Sequence, residues 1–475
     1  MGTGSPPTEG DESGGGLTPP GRAALRQLLR IRPFRDLFAA GTISSFGDWL
    51  ALLATAALAA ELATGGVGEY LAVSGVFVLR IAPAVVLGPL AGVVADRLDR
   101  RLTMVVGDLL RFGLFVSIPV AGSLWWMYVA IVLIECVSLF WNPAKDATVP
   151  NLVPRERLEL ANQLGLVGSY GTAPLAALAF SGLSLLGAPL HAVLPGLDPE
   201  GIFLALYANS ATFLLSAGII WRISFPARRA SERLAGQSLV RTVADGLLVI
   251  RQRPFVRGLV GGMLGAFGAG GLVVGLATRF VQDMGAGAPG YGMLFLAVFT
   301  GMAAGIVAGP RVLGGLSRPR IFGAALVGAG VLLLVLALVP VLLVALPVAT
   351  LLGAVIGVAW VVGYTLLGLT VEDEVRGRTF ALVQSLNRVV LVLVLAVAPL
   401  LAAGAEALLP LPRTVDLGPV SLTYAGATAA YLVAGLAMGT AGVSAWRSMN
   451  DKPGLTLLAE IHQVRRGRHG RHGGR

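Results

Sequence analysis

The sequence predicts an all-α membrane protein with twelve transmembrane helices, arranged as two related six-helix bundles. Three observations carry that expectation. The composition is depleted in charge, twelve apolar stretches reach spanning length, and short sequences recur half a chain apart. Hydrophobic residues make up 55% of the 475 positions and charged ones 13%, against roughly 25% charged in soluble domains.

A helix crossing a hydrocarbon core of roughly 30 Å needs about 20 apolar residues. Stretches of that kind fall at 37–61, 70–95, 103–122, 125–144, 158–187 and 202–221, then at 257–281, 291–313, 320–339, 341–369, 379–404 and 421–446. The polar segment 222–256 separates the two sets. The chain therefore divides into a disordered basic arm (1–33), a first bundle (34–221), a linker (222–256), a second bundle (257–447) and a basic tail (448–475). The first twenty residues are polar, rich in Gly and Pro, and lack the apolar core of a secretory signal. In the linker, Leu239, Val240, Val243, Leu247 and Ile250 recur at helical spacing, which predicts an amphipathic helix on the membrane surface. In the fifth stretch, Gly165, Gly168, Gly171 and Pro174 predict a bend.

Lys and Arg fix the expected orientation. With the N-terminus in the cytoplasm, 31 of the 36 basic residues fall on the cytoplasmic side and only Arg279 and Arg413 on the other. Both termini are expected inside a bacterial inner membrane. The net charge of +10 then follows topology and does not indicate nucleic acid. One cysteine, Cys136, excludes an intrachain disulfide, and the four histidines lack metal-ligand spacing. With no phosphate loop and no nucleophile–base pair, neither an enzyme nor a cofactor is expected.

The halves share residues. Arg32-Pro33-Phe34 recurs as Arg253-Pro254-Phe255, and at the same offset Gly41, Phe46 and Gly47 map to Gly262, Phe267 and Gly268. Ala91-Gly92-Val93-Val94-Ala95 recurs as Ala304-Gly305-Ile306-Val307-Ala308. Asp48 maps to Ala269, so intramembrane charge is concentrated in the first half.

Between the second and third stretches, Gly92-Val-Val-Ala-Asp96-Arg97-Leu-Asp99-Arg100-Arg101 resembles the signature loop of the major facilitator superfamily. The usual glycine is Asp99 here. Phe46-Gly47-Asp48, Asn142-Pro143-Ala144-Lys145 and Leu160-Ala-Asn162-Gln163-Leu164 are similar to an exporter-like branch that includes macrolide-efflux and siderophore-export proteins. The resemblance implies a secondary transporter acting on a small-molecule substrate, with protons and the lipid bilayer as its other partners, and a monomer. It also implies a cytoplasmic gate at Gly92 and Asp96, held by Arg97 and Arg101.

Six charges lie within the apolar stretches: Asp48, Asp108, Glu135, Arg80, Arg111 and Arg388. Each costs about 2.5–3.5 kcal/mol on insertion scales, so it needs a partner or a task. At 1.5 Å per residue, Asp48, Arg80, Glu135 and Arg388 lie roughly 15–20 Å deep, near the midplane. Asp108 and Arg111, three apart on one helix face, are shallower and are expected to be structural. Asp48 and Glu135 are the proton-carrier candidates. Arg80 and Arg388, with Asn387 and Gln384, are the counter-ion or substrate candidates. Proton-coupled export of a small amphipathic molecule is the leading reading. A lipid flippase of the same fold and a non-transporting scaffold remain open.

Overall fold

The computed structural model describes residues 22–63, 67–95, 98–196, 198–224, 253–313, 316–339, 341–371, 373–409, 413–417 and 420–449. The linker helix expected at 239–250, the basic tail, Asp96 and Arg97 lie outside them. A short helix α1 (Arg22–Leu29) precedes the spans, where the sequence suggested only a disordered arm. Leu28 anchors it, packing with Phe34, Val153 and Ala161.

Twelve candidate spans are present among the described residues. The first half contains α2 (Arg32–Leu62), α3 (Val67–Ala95), α4 (Arg100–Ala121), α5 (Leu124–Leu152), the pair α6 (Leu158–Tyr170) and α7 (Ala173–Val193), and α8 (Ile202–Arg222). The second half contains α9 (Pro254–Asp283), α10 (Gly287–Val312), α11 (Arg318–Leu338), α12 (Leu342–Thr370), α13 (Asp373–Leu408) and α14 (Gly426–Met449). Between α13 and α14, β1 (Arg413–Leu417) and β2 (Val420–Tyr424) form an antiparallel hairpin with Arg413 opposite Tyr424. The sequence reading placed residues 421–424 in the last span. Val-Ser-Leu-Thr-Tyr alternates apolar and polar residues, a strand pattern, and α14 starts only at Gly426.

The halves repeat one packing scheme. In the first, α2 and α4 pack on α8, α3 packs on α5, and α4 on α5; in the second, α9 and α11 pack on α14, α10 on α12, and α11 on α12. Across the halves α3 meets α13 and α7 meets α10, equivalent pairs under a pseudo-twofold. The equivalence is not residue for residue: Gly47 faces Asn209 and Thr212 of α8, whereas Gly268 faces Val390 and Val394 of α13.

Lipid supplies no hydrophobic drive between helices, so close backbone approach through small residues holds such bundles together. The α10–α12 crossing shows this most fully. A Cβ at Gly301 or Gly305 would strike the carbonyl oxygen of Thr350 or Ala354, and one at Gly353 or Gly357 that of Val298 or Met302.

In the fifth span, where the sequence predicts a bend, the α-helix is interrupted at Gly171 and Thr172. Pro174 has no N–H for the Tyr170 carbonyl, and α6 stops at Tyr170. Beside the interruption, the Ser169 carbonyl accepts from the Trp49 indole at 2.8 Å and from the Thr172 hydroxyl at 3.2 Å, which keeps it satisfied within a membrane.

The two faces of the bundle differ. On the face opposite the first and last helix ends (the far face), one continuous core joins both halves, including Leu58, Tyr70, Phe180, Tyr291, Leu395 and Tyr431. On the terminal face the core separates by half, one part around Leu37, Met104 and Trp141 and another around Val256, Phe322 and Leu367. Polar contacts across the halves reinforce the far face. Arg279 pairs with Glu69 and Asp283, each at 3.1 Å. The Tyr70 hydroxyl donates to Glu406 at 2.9 Å, and Ser181 donates to the Pro289 carbonyl at 2.5 Å. Glu406 also accepts from the Gly426 N–H at 3.1 Å, beside the positive end of α14. Among the described residues the halves thus share a core at the far face and keep separate cores at the terminal face, the arrangement of a cleft open on that side.

Gly353→Leu is expected to push α10 and α12 apart and cost about 1–3 kcal/mol or more, read as a lower melting temperature in detergent. Gly182→Ala, with nothing within 4 Å of the added carbon, should leave it unchanged. Arg279→Gln is expected to loosen the far face. In a Cys136→Ser background, a reporter Ser74→Cys should then react faster with a membrane-impermeant maleimide added from that side.

Candidate functional site

Asp48 on α2, Arg80 on α3, Asp108 and Arg111 on α4, and Glu135 and Lys145 on α5 share one polar region in the first half. Arg80 Nε lies 3.4 Å from Glu135 Oε1, with side chains 14% and 23% exposed. The pair is not sealed in the core. Asp48 makes no ion pair within 4 Å among the described residues, yet lies in the electrostatic reach of Arg111, Arg80 and Lys145. Three acids and three bases leave the region close to neutral, the condition under which charge is tolerated at this depth.

Arg111 and Asp108 are fully enclosed. Their side chains are 2% and 0% exposed and directly paired. The Arg111 guanidinium lies between aromatic faces, 4.7 Å from the Trp141 ring centre and 4.5 Å from that of Phe213. The loop arginines Arg100 and Arg101 have other partners. Arg101 donates to the Trp221 carbonyl at the end of α8 and stacks 4.7 Å over its ring. Arg100 donates to the Ala147 carbonyl at 2.7 Å. The structure thus gives Arg101 a contact within its own half, at the negative end of a helix. Asp99, where the family motif usually has glycine, caps α4 by accepting from the Leu102 N–H at 2.8 Å. Gly92 falls within α3, and its surroundings are not among those described.

Lys145 and Asn209 escaped the sequence reading. Lys145 was assigned to a loop, but α5 runs to Leu152 through Pro143. Its ammonium lies 5.6 Å from the Trp141 ring centre. Asn209 on α8 is fully buried, and neither polar atom of its side chain has a hydrogen-bond partner. It sits against Gly47, next to Asp48. An uncharged residue gives no signal in a count of buried charges.

The second half supplies the opposite wall. On α13, Gln384 and Arg388 share a stripe with Leu391, Leu395, Ala402 and Glu406. The far end of that stripe packs toward α3: Glu406 meets Tyr70, and Leu395 lies beside Gly275 and Ser74. The lipid-facing stripe is Val389, Leu393, Val397 and Leu400. Gln384 and Arg388 are exposed, on the part of that stripe nearer the terminal face. Asn387 is buried, with its side chain at the Tyr364 hydroxyl. An aromatic series, Phe267, Trp360, Tyr364 and Phe380, runs down this half with ring centres 5.2–6.1 Å apart. Across the cleft stand Trp49 and Tyr170, and Trp49 meets Phe299 edge-on at 5.1 Å. The structure does not bring Arg388 to the Arg80–Glu135 pair.

A membrane protein with twelve spans in two pseudo-symmetric halves and a charged central cleft belongs to the class of solute carriers, not enzymes. The chain is a member of the Major Facilitator Superfamily, whose family model matches residues 37–394. It is 27% identical to the uncharacterized MFS-type transporter Rv0037c of Mycobacterium tuberculosis, over 78% of this chain and 86% of that one. It is also 27% identical to the uncharacterized MFS-type transporter YfiS of Bacillus subtilis, over 46% of this chain and about half (49%) of the relative. BacE of Bacillus subtilis, provisionally named a bacilysin exporter, is 29% identical over 40% of this chain and 44% of its own length. Among solved structures, the nucleoside transporter NupG aligns with a TM-score of 0.61 at 13% identity, covering 89% of this chain and all of that one. A bacterial homolog of the lysosomal transporter Spinster, in an inward-facing and unoccupied conformation, aligns with a TM-score of 0.59 at 15% identity, over 88% and 95%. At these identities the structures establish the shared fold.

Arg111→Met is expected to strand Asp108 and cost about 3–5 kcal/mol, the usual effect of breaking a buried pair. Folded yield should fall sharply and recover in part in Arg111→Met/Asp108→Asn. Asp99→Ala should cost about 1 kcal/mol through the lost cap, visible as a small drop in melting temperature.

Proposed function

We propose that the protein exports a small amphipathic molecule across a bacterial inner membrane in exchange for protons, by rocking of its two halves about the central cleft. The observation that carries this reading is Asp48: a carboxylate at mid-depth, without an ion-pair partner among the described residues, beside the Arg80–Glu135 pair. A carboxylate reached from one side at a time can take up a proton there and release it on the other. An arginine cannot release its proton and serves as counter-ion. In the state open at the terminal face Arg80 is the counter-ion of Glu135, until substrate or a proton takes its place as the halves tilt.

The basic-residue distribution supports a cytoplasmic terminal face, with both termini inside. The cleft would then collect substrate from the cytoplasm. Charge in one wall and the aromatic series of the other suit a molecule with a polar end and an apolar body. The similarity to BacE over part of the chain supports outward transport. Gln384 and Arg388 would contact substrate from the second half. Asp96, with Gly92, Arg97 and Arg101, would close the cytoplasmic side in the opposite state.

Proteoliposomes with an imposed proton gradient and a fluorescent amphipathic cation, ethidium, as probe test the reading. Gradient-driven ethidium movement is expected for the native chain, with accompanying proton flux, and both should be lost in Asp48→Asn/Glu135→Gln. Proton movement that persists undiminished in the double variant would sink the carrier assignment.

A further inference from the structure

We infer that the outer face of the second half holds a selective site for one anionic phospholipid, with an acyl chain in a groove between α11 and α14 and its phosphate at Arg447. The groove encloses about 760 Å³. It exists because the two helices touch backbone to backbone. A Cβ at Gly330 would lie 2.6 Å from the Gly439 nitrogen and 2.7 Å from the Gly435 carbonyl oxygen. The crossing therefore has a floor without side chains, walled by exposed Val331, Leu436 and Val443.

Length and charge select the occupant. From Gly435 to Arg447 the groove follows α14 for roughly 18 Å at 1.5 Å per residue, about the depth of one leaflet of a core roughly 30 Å thick. Its deep end is apolar. Its terminal end carries the hydroxyls of Ser444 and Ser448 and the exposed guanidinium of Arg447. Gly258 packs against Ser448, which sets the first turn of α9, with exposed Arg257, beside the same end. Among the described residues no acidic one lines the groove. A second copy docked here about a twofold would bring four arginines to one membrane edge without counter-charge, whereas a lipid phosphate neutralises them. The helices that meet the other half are α9, α10 and α13. The groove thus lies outside the substrate path.

Native mass spectrometry of protein released from nanodiscs of mixed phosphatidylglycerol and phosphatidylcholine reads the site directly. The native chain should retain one phosphatidylglycerol in preference to phosphatidylcholine. Arg447→Gln should lower that retention about fivefold, the effect of one basic residue near a membrane surface. Gly439→Leu should exclude both lipids without lowering the melting temperature, because a side chain there enters open space, with nothing within 4 Å. Equal retention of both lipids by the native chain, or retention unchanged in both variants, overturns the site. So does a native dimer that Gly439→Leu dissociates.

Discussion

A hydrocarbon solvent offers a polar group neither water nor a counter-ion, and that constraint decides where the charged side chains of this protein can sit. Arg111 and Asp108 meet it by pairing inside an aromatic sandwich. Arg80 and Glu135 meet it by pairing at the edge of the cleft. Asp48 meets it only through the surrounding field of three cations. The backbone obeys the same rule. Where the fifth span is interrupted before Pro174, an indole and a hydroxyl donate to the Ser169 carbonyl.

The division of the structure into a sealed face and an open one follows from where the halves share a core. The far face combines apolar packing with the Glu69–Arg279–Asp283 cluster and the Tyr70–Glu406 contact. Such ion pairs between halves are reversible: once opened to water, each group is solvated again. A latch of this chemistry suits a joint that closes and opens better than apolar packing alone would.

The spans and the doubled organisation were legible in the sequence because they depend on hydropathy and spacing, and so was the similar depth of Arg80 and Glu135, but not their pairing. Depth counting measures height along the membrane normal and carries no azimuth. It therefore separated Arg111 from Asp48, although the two are electrostatic neighbours, and placed Arg388 near the Arg80–Glu135 pair. Lys145 was lost because the fourth apolar stretch was closed at residue 144, yet the helix runs on to Leu152. Asn209 carries no charge and so left no mark. The cap at Asp99 was readable as a residue type but not as a geometry, since the same aspartate could equally have served the loop.

Trp49 is fixed to the Ser169 carbonyl within the first half and presents its ring edge to Phe299 of the second. This contact stands at the depth where the shared core gives way to the open cleft. For two rigid bodies that tilt against each other, points near the line of rotation move least, while separations at both faces change most. If the halves rock as proposed, Trp49 and Phe299 occupy the place of a fulcrum, and ring size there would set the spacing about which the two lever arms swing. A smaller ring at position 49 would leave the latch and the charges intact and alter the axle on which they turn.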